Sequence, residues 1–178
     1  MRLFIAIELP EEVKNYLFEL EGNLKSKRFG KINWVFKKNL HITLKFLGEV
    51  KEDKVEELKD YLKKIKFEKF KISLEDIGFY LNGLRINVIR IGIKPQEDIV
   101  RLQKLIDEDT LGFGDIKLGG HITLGRVKSL KNKHNFTDFV KNLKIEKIKF
   151  EVDSFILFKS DLKKEGPDYA SLERYYLR

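Results

Sequence analysis

The 178 residues are 42% hydrophobic and 36% charged, with a formal net charge of +8, enough for one domain or two tightly joined lobes with a real core. No cysteine is present, which excludes disulfides, thiolate metal sites and cysteine nucleophiles, and no apolar run approaches the roughly 18 residues that would span a bilayer. The positive excess attracts polyanions such as nucleic acid, although a solvated Lys/Glu surface gives the same sum.

Residues 2–9 alternate and are rich in β-formers, so they read as a strand. The apolar stretch is too short for a signal peptide and Glu8 follows at once, and the cytoplasm is the expected compartment. Pro10 suits a first helical turn, and Val13, Leu17, Leu20 and Leu24 recur at helical spacing to about Ser26. A basic loop leads to a short strand near Ile32–Phe36 and another at 41–47. Val55, Leu58, Leu62 and Ile65 mark a second helix, and 69–80 a strand. Arg85–Ile93 is a strand, Pro95 opens a helix carrying Ile99, Leu102 and Ile106, and a Gly-rich loop leads into a strand at 121–127. Phe136, Phe139, Val140 and Leu143 mark a helix. Strands follow at about 145–152 and 154–159, and a last one at Ala170–Leu177. One Met and only two glutamines, Gln96 and Gln103, amid abundant Lys and Glu resemble a thermophile's composition.

The order repeats. From Arg2, strand, helix and loop lead to His41 after 39 residues; from Arg85 the same succession leads to His121 after 36. Both end in His-Ile-Thr-Leu, at His41–Leu44 and His121–Leu124. The expected fold class is α+β: a bilobal duplicated fold, two similar lobes of antiparallel sheet plus helices around a central cleft. Residues 1–178 are expected to act as a single domain, each lobe contributing one motif.

Alternation along a strand puts His41 with Thr43, and His121 with Thr123, on a polar face backed by Ile and Leu. Bringing the two polar faces together makes a site of two imidazoles and two hydroxyls. Imidazole titrates near neutrality, so one His can remove a proton from water while the other protonates a departing alkoxide, the pair that phosphodiester cleavage needs. The threonine hydroxyls can donate to phosphate oxygens, and Arg126 can add a charge-assisted contact. Two other readings compete. Duplication alone preserves a structural His twice, and two histidines can ligate zinc, although no third ligand stands near either motif at useful spacing. The third histidine, His134, lies in a polar segment and is expected to be exposed and inert. Gly112-Phe113-Gly114 and Gly119-Gly120 lack the Lys-Ser/Thr of a phosphate loop and read as turns.

Tandem His-x-Thr-x motifs resemble those of the two-histidine phosphoesterase superfamily. Arg2–Ile7, Asn39–Gly48 and His121–Arg126 are most similar to the RNA 2′,3′-cyclic phosphodiesterases, the LigT-like family historically named 2′–5′ RNA ligases. That resemblance spans essentially the whole chain. It implies hydrolysis of a 2′,3′-cyclic phosphate to a 2′-phosphate with no metal or other cofactor. It makes His41 the proton donor and His121 the acceptor, with Thr43, Thr123 and Arg126 as phosphate or substrate contacts. The near-symmetric motifs alone do not fix which His is which. The implied partner is RNA ending in a 2′,3′-cyclic phosphate, tRNA fragments among the candidates, with no membrane and a monomeric chain. Alternatives are 2′–5′ ligation in reverse and a non-catalytic RNA-end-binding module. Strict alternation aims Arg126 at the core, where an unpaired guanidinium would be costly. Phe46 holds the same offset from His41. The two are expected to flank the cleft and stack on a nucleobase, with ordinary core packing the alternative for Phe46. Lys45 shares the parity of His41 and reads equally as an exposed strand-end lysine.

Overall fold

The computed structural model describes Met1–Arg178. In chain order the elements are β1 (Arg2–Glu8), α1 (Glu11–Ser26), β2 (Gly30–Trp34), β3 (His41–Glu49), α2 (Val55–Lys63), β4 (Phe70–Asn82), β5 (Arg85–Lys94), α3 (Glu97–Asp109), β6 (His121–Leu130), α4 (Lys133–Lys141), β7 (Lys149–Val152), β8 (Ser154–Lys163) and β9 (Gly166–Tyr176). No helix is long and apolar enough to cross a membrane.

The strands join in one antiparallel sheet of order β7-β4-β5-β6-β3-β1-β8-β9, with β2 added along β6. The expected two lobes are the halves β7-β4-β5-β6 and β3-β1-β8-β9, which meet where Ile42 pairs with Ile122. The lobes do not coincide with the sequence repeats. Strand β4, which closes the first repeat, pairs with β5 of the second, and β8, from the end of the chain, pairs with β1. Each repeat thus supplies strands to the other's lobe. One face of the sheet carries the core. Ile5, Ile7, Ile42, Leu44, Ile122 and Leu124 pack with Val13, Leu17, Leu58, Leu102, Ile106 and Phe136 from the four helices.

Both motif strands bulge at the same place. Along β3, Ile5 faces Lys45 and Ala6 faces Thr43, so Leu44 is the extra residue. Along β6, Ile89 faces Gly125 and Arg90 faces Thr123, so Leu124 is the extra one. An inserted residue inverts side-chain parity beyond it. Leu44 and Lys45 therefore both point to the core, and Phe46 and Arg126 return to the face of the histidines. This answers the parity problem at Arg126 and excludes core packing for Phe46, which is 54% exposed.

The same bulge corrects the reading of Lys45 as a strand-end lysine, because only 2% of it is exposed. Its Nζ donates to Asp107 Oδ1 at 2.6 Å, Thr110 Oγ1 at 3.0 Å and the Thr110 carbonyl at 3.2 Å. Breaking a buried pair from one side strands the other charge. Asp107→Ala is therefore expected to destabilise by on the order of 3 kcal/mol. Lys45→Met, which keeps the stem and leaves Asp107 partly solvated, should cost about 1 kcal/mol or less. Urea midpoints at unchanged m-value measure the difference, and equal losses would contradict it.

Candidate active site

Each motif residue stands where its strand puts it. His41 and Thr43 share a face of β3, and His121 and Thr123 share a face of β6. Carrying the Ile42–Ile122 register one residue either way sets His41 against Thr123 and Thr43 against His121. The four predicted side chains thus meet across the junction of the lobes. Arg126 and Phe46 lie on the same face but at opposite ends of it. Arg126 faces Asn33 of β2, and Phe46 bridges to Asp115 in the loop after α3. His134 sits apart on α4, its side chain 88% exposed. No three His, Asp or Glu side chains cluster as ion ligands.

The strand ends are held by neighbours that periodicity does not show. The only two glutamines clamp the Gly-rich loop ahead of His121. Gln96 accepts from the Gly120 amide at 2.7 Å and donates to the Gly120 carbonyl at 2.9 Å. Buried Gln103 accepts from the Gly119 amide at 2.8 Å and donates to its carbonyl at 3.1 Å. Gln103 also donates to the Leu44 carbonyl at 3.2 Å, an acceptor at the bulge. Their scarcity, read from sequence as a matter of habitat, was the available signal.

The two imidazoles are held differently. His41 Nδ1 lies 2.6 Å from the Asn39 carbonyl, an acceptor only, so Nδ1 carries the proton. Its Nε2 faces Thr43 Oγ1 at 2.9 Å. Aromatic rings enclose it, with Phe4 at 5.2 Å and Tyr169 at 5.5 Å between centroids. Burial pushes its pKa down, opposed by the Asn39 carbonyl and reinforced by Arg126 and Lys14. A cavity of about 210 Å³ opens beside it, lined among others by Glu8, Asn39, Phe158, Tyr169 and Ser171.

His121 Nδ1 lies 3.2 Å from the Tyr80 hydroxyl. Burial first, then the charges of Arg90, His41, Arg126 and Lys117, push its pKa down to about 4. The Arg90 guanidinium is 4.9 Å from the Tyr80 ring centroid. Neither Tyr80 nor Arg90 was legible from sequence, since each is an ordinary residue of an alternating strand. His41 therefore has two rings, Phe4 and Tyr169, against it, while His121 has one, Tyr80, and feels Arg90 in addition to Arg126. Chemically, the cleft offers two nitrogens for proton transfer and cationic groups for an anion between them.

Residues 7–90 match the family model described as LigT like Phosphoesterase. The chain is 37% identical to the RNA 2′,3′-cyclic phosphodiesterase of Methanocaldococcus jannaschii, over 98% of this chain and all of that one. The chain belongs to the LigT-like phosphoesterases. Among solved structures, a Thermus thermophilus protein superposes with a TM-score of 0.85 at 28% identity, covering 100% of this chain and 98% of that one. Escherichia coli LigT complexed with phosphate gives 0.75 at 27%, covering 99% and 96%. The resemblance drawn from the motifs thus holds for the family, and the two-lobed α+β architecture is shared by its solved members.

Proposed function

We propose that this LigT-like phosphoesterase hydrolyses RNA 2′,3′-cyclic phosphate ends to 2′-phosphates, with His41 as general acid, His121 as general base and no metal ion. The observation that carries the reading is the pairing of two differently held imidazoles across the β3–β6 junction. The name borne by the Methanocaldococcus relative and the phosphate complex of E. coli LigT support the substrate class. Each lobe supplies one His-x-Thr-x motif, so the 178 residues work as one catalytic unit.

Water attacks phosphorus in line with the bond to O3′ and gives its proton to His121 Nε2. The P–O3′ bond breaks and O3′ takes the proton of His41 Nε2, leaving the phosphate on O2′. Burial keeps His121 neutral and ready to accept. His41 must carry a second proton. Its Nδ1–H bond to the Asn39 carbonyl opposes the larger downward push of burial, and the negative charge of a bound phosphodiester is what restores the imidazolium. Thr43, Thr123 and Arg126 contact the phosphate oxygens. The cavity beside His41 is placed to hold the ribose whose O3′ is released. Phe46 offers a ring to a base at the far end of the cleft and Arg126 a guanidinium plane at the near end.

Turnover of a nucleoside 2′,3′-cyclic phosphate followed by ³¹P NMR tests this. The expected product is the 2′-phosphate alone, at a rate unchanged by excess chelator. A 3′-phosphate product, or loss of activity on chelation, would sink the mechanism.

A further inference from the structure

The strand pairings of the two lobes correspond position by position on the site face, and the places where the residues differ are informative. Strands β3 and β6 match through Thr43 and Thr123. Next to Thr43 on β1 stands Ala6; next to Thr123 on β5 stands Arg90. Ala6 is followed outward by Ile156 on β8, and Arg90 by Gly78 on β4. Phe4 pairs with Phe158 where Val88 pairs with Tyr80. Glu8 faces His41 where Gly92 faces His121.

These substitutions work together. A Cβ on Gly78 would lie 3.4 Å from Arg90 Nη2, and one on Gly92 would lie 3.4 Å from Arg90 Nη1. Gly78 and Gly92 thus flank the guanidinium with no side chains of their own, at the positions held in the other lobe by Ile156 and Glu8. Arg90 lies there against the Tyr80 ring, its Nε buried and without a hydrogen-bond partner, and it forms no salt bridge with any carboxylate. Tyr80 in turn reaches His121 Nδ1. The groups whose charge acts on His121 are Arg90 from β5, Arg126 from its own strand, His41 from β3 and Lys117 from the preceding loop. Of these, Arg90 acts most strongly on His121. On the His41 side the one facing carboxylate, Glu8, is bound by Lys14 and Arg174.

We propose that Arg90 and Tyr80, replaced by Ala6 and Phe158 in the other lobe, are the positioning residues that make His121 the proton acceptor and leave His41 the donor. This rests on the acid–base reading above. Arg90 penalises a positive charge on His121 and not on a matched site in the first lobe. The Tyr80 hydroxyl accepts from Nδ1–H, its own proton turned to solvent, and so leaves Nε2 bare toward water.

With three histidines in the chain, ring ¹⁵N NMR titration resolves each one in the wild type, without substrate and apart from any turnover. Neutral His121 is expected as the Nδ1–H tautomer, and an Nε2–H tautomer would overturn the role of Tyr80. In Arg90→Met the His121 midpoint should rise by about one pH unit while His41 moves far less, and Arg90→Lys should restore it. Tyr80→Phe should leave the His121 tautomers mixed. In the pH–rate profile the acid limb of hydrolysis should move up by about one pH unit in Arg90→Met, with the rate at neutral pH kept, and return in Arg90→Lys. An unmoved His121 midpoint, or equal movement of both histidines, would overturn the proposal while leaving the hydrolytic reading standing. Absence of wild-type turnover would overturn that reading instead.

Discussion

His41→Ala and His121→Ala should each lower hydrolysis of a 2′,3′-cyclic phosphate by about 10²–10⁴-fold, and the double variant should lose little more than either alone. Acid and base act in one transition state, so removing the second finds most of the benefit already gone. The fold should survive both changes. His121 is half-buried at the junction, and His41 gives up ring contacts to Phe4 and Tyr169 while the strand ladder that fixes β3 is backbone. Leaving-group chemistry separates the roles. A diester that releases nitrophenolate departs without a proton, so His41→Ala should lose far less on it than on the cyclic substrate. His121→Ala should lose on both, because the nucleophile still needs its base. Equal losses on the two substrates would remove the donor role from His41, and full activity in either variant would remove the paired site.

Glu21→Gln should stabilise the protein at alkaline pH by about 3–5 kcal/mol, a gain of about 10 °C in thermal midpoint. Glu21 sits one turn after Leu17 on the inward stripe of α1, fully buried, and neither carboxyl oxygen has a partner. Burial pushes its pKa up to about 8, with Lys25 opposing weakly. The folded protein therefore binds this proton more tightly than the unfolded chain. The contribution is whole below the unfolded value of about 4.5 and is lost as pH rises through 8. Gln keeps the shape and never ionises. Thermal melts of both proteins at pH 5 and pH 9 measure it, the gap widening with pH. A wild-type stability level from pH 6 to 9 would show that the carboxyl finds a partner.

Helical spacing alone favoured Leu20 on that stripe beside Leu17 and Leu24. Leu20 is only partly buried and Glu21 is enclosed instead. A helical period locates a face to within one residue, and packing selects between neighbours. The strands were legible for the opposite reason. Alternation over His41–Leu44 and His121–Leu124 is short and strict, and it paired each His with its Thr correctly. It failed just beyond the motifs, at Lys45 and Arg126, because a β-bulge is a property of two strands and leaves no mark on the period of one. Gln96 and Gln103 were visible only as rarities, since their partners are backbone groups far along the chain.

By itself the sequence determined the duplicated order of elements, the two motifs as candidate halves of one site, and the family resemblance. Those rest on local patterns and on matching intervals. Only the tertiary structure decided which strands share a lobe, because β4 and β8 cross between the repeats and strand pairing is non-local. It also decided the directions of Lys45, Phe46 and Arg126 through the paired bulges. Finally, it set Arg90 and Tyr80 beside one histidine and Ala6 and Phe158 beside the other, an asymmetry of charge that two identical tetrapeptides could not express.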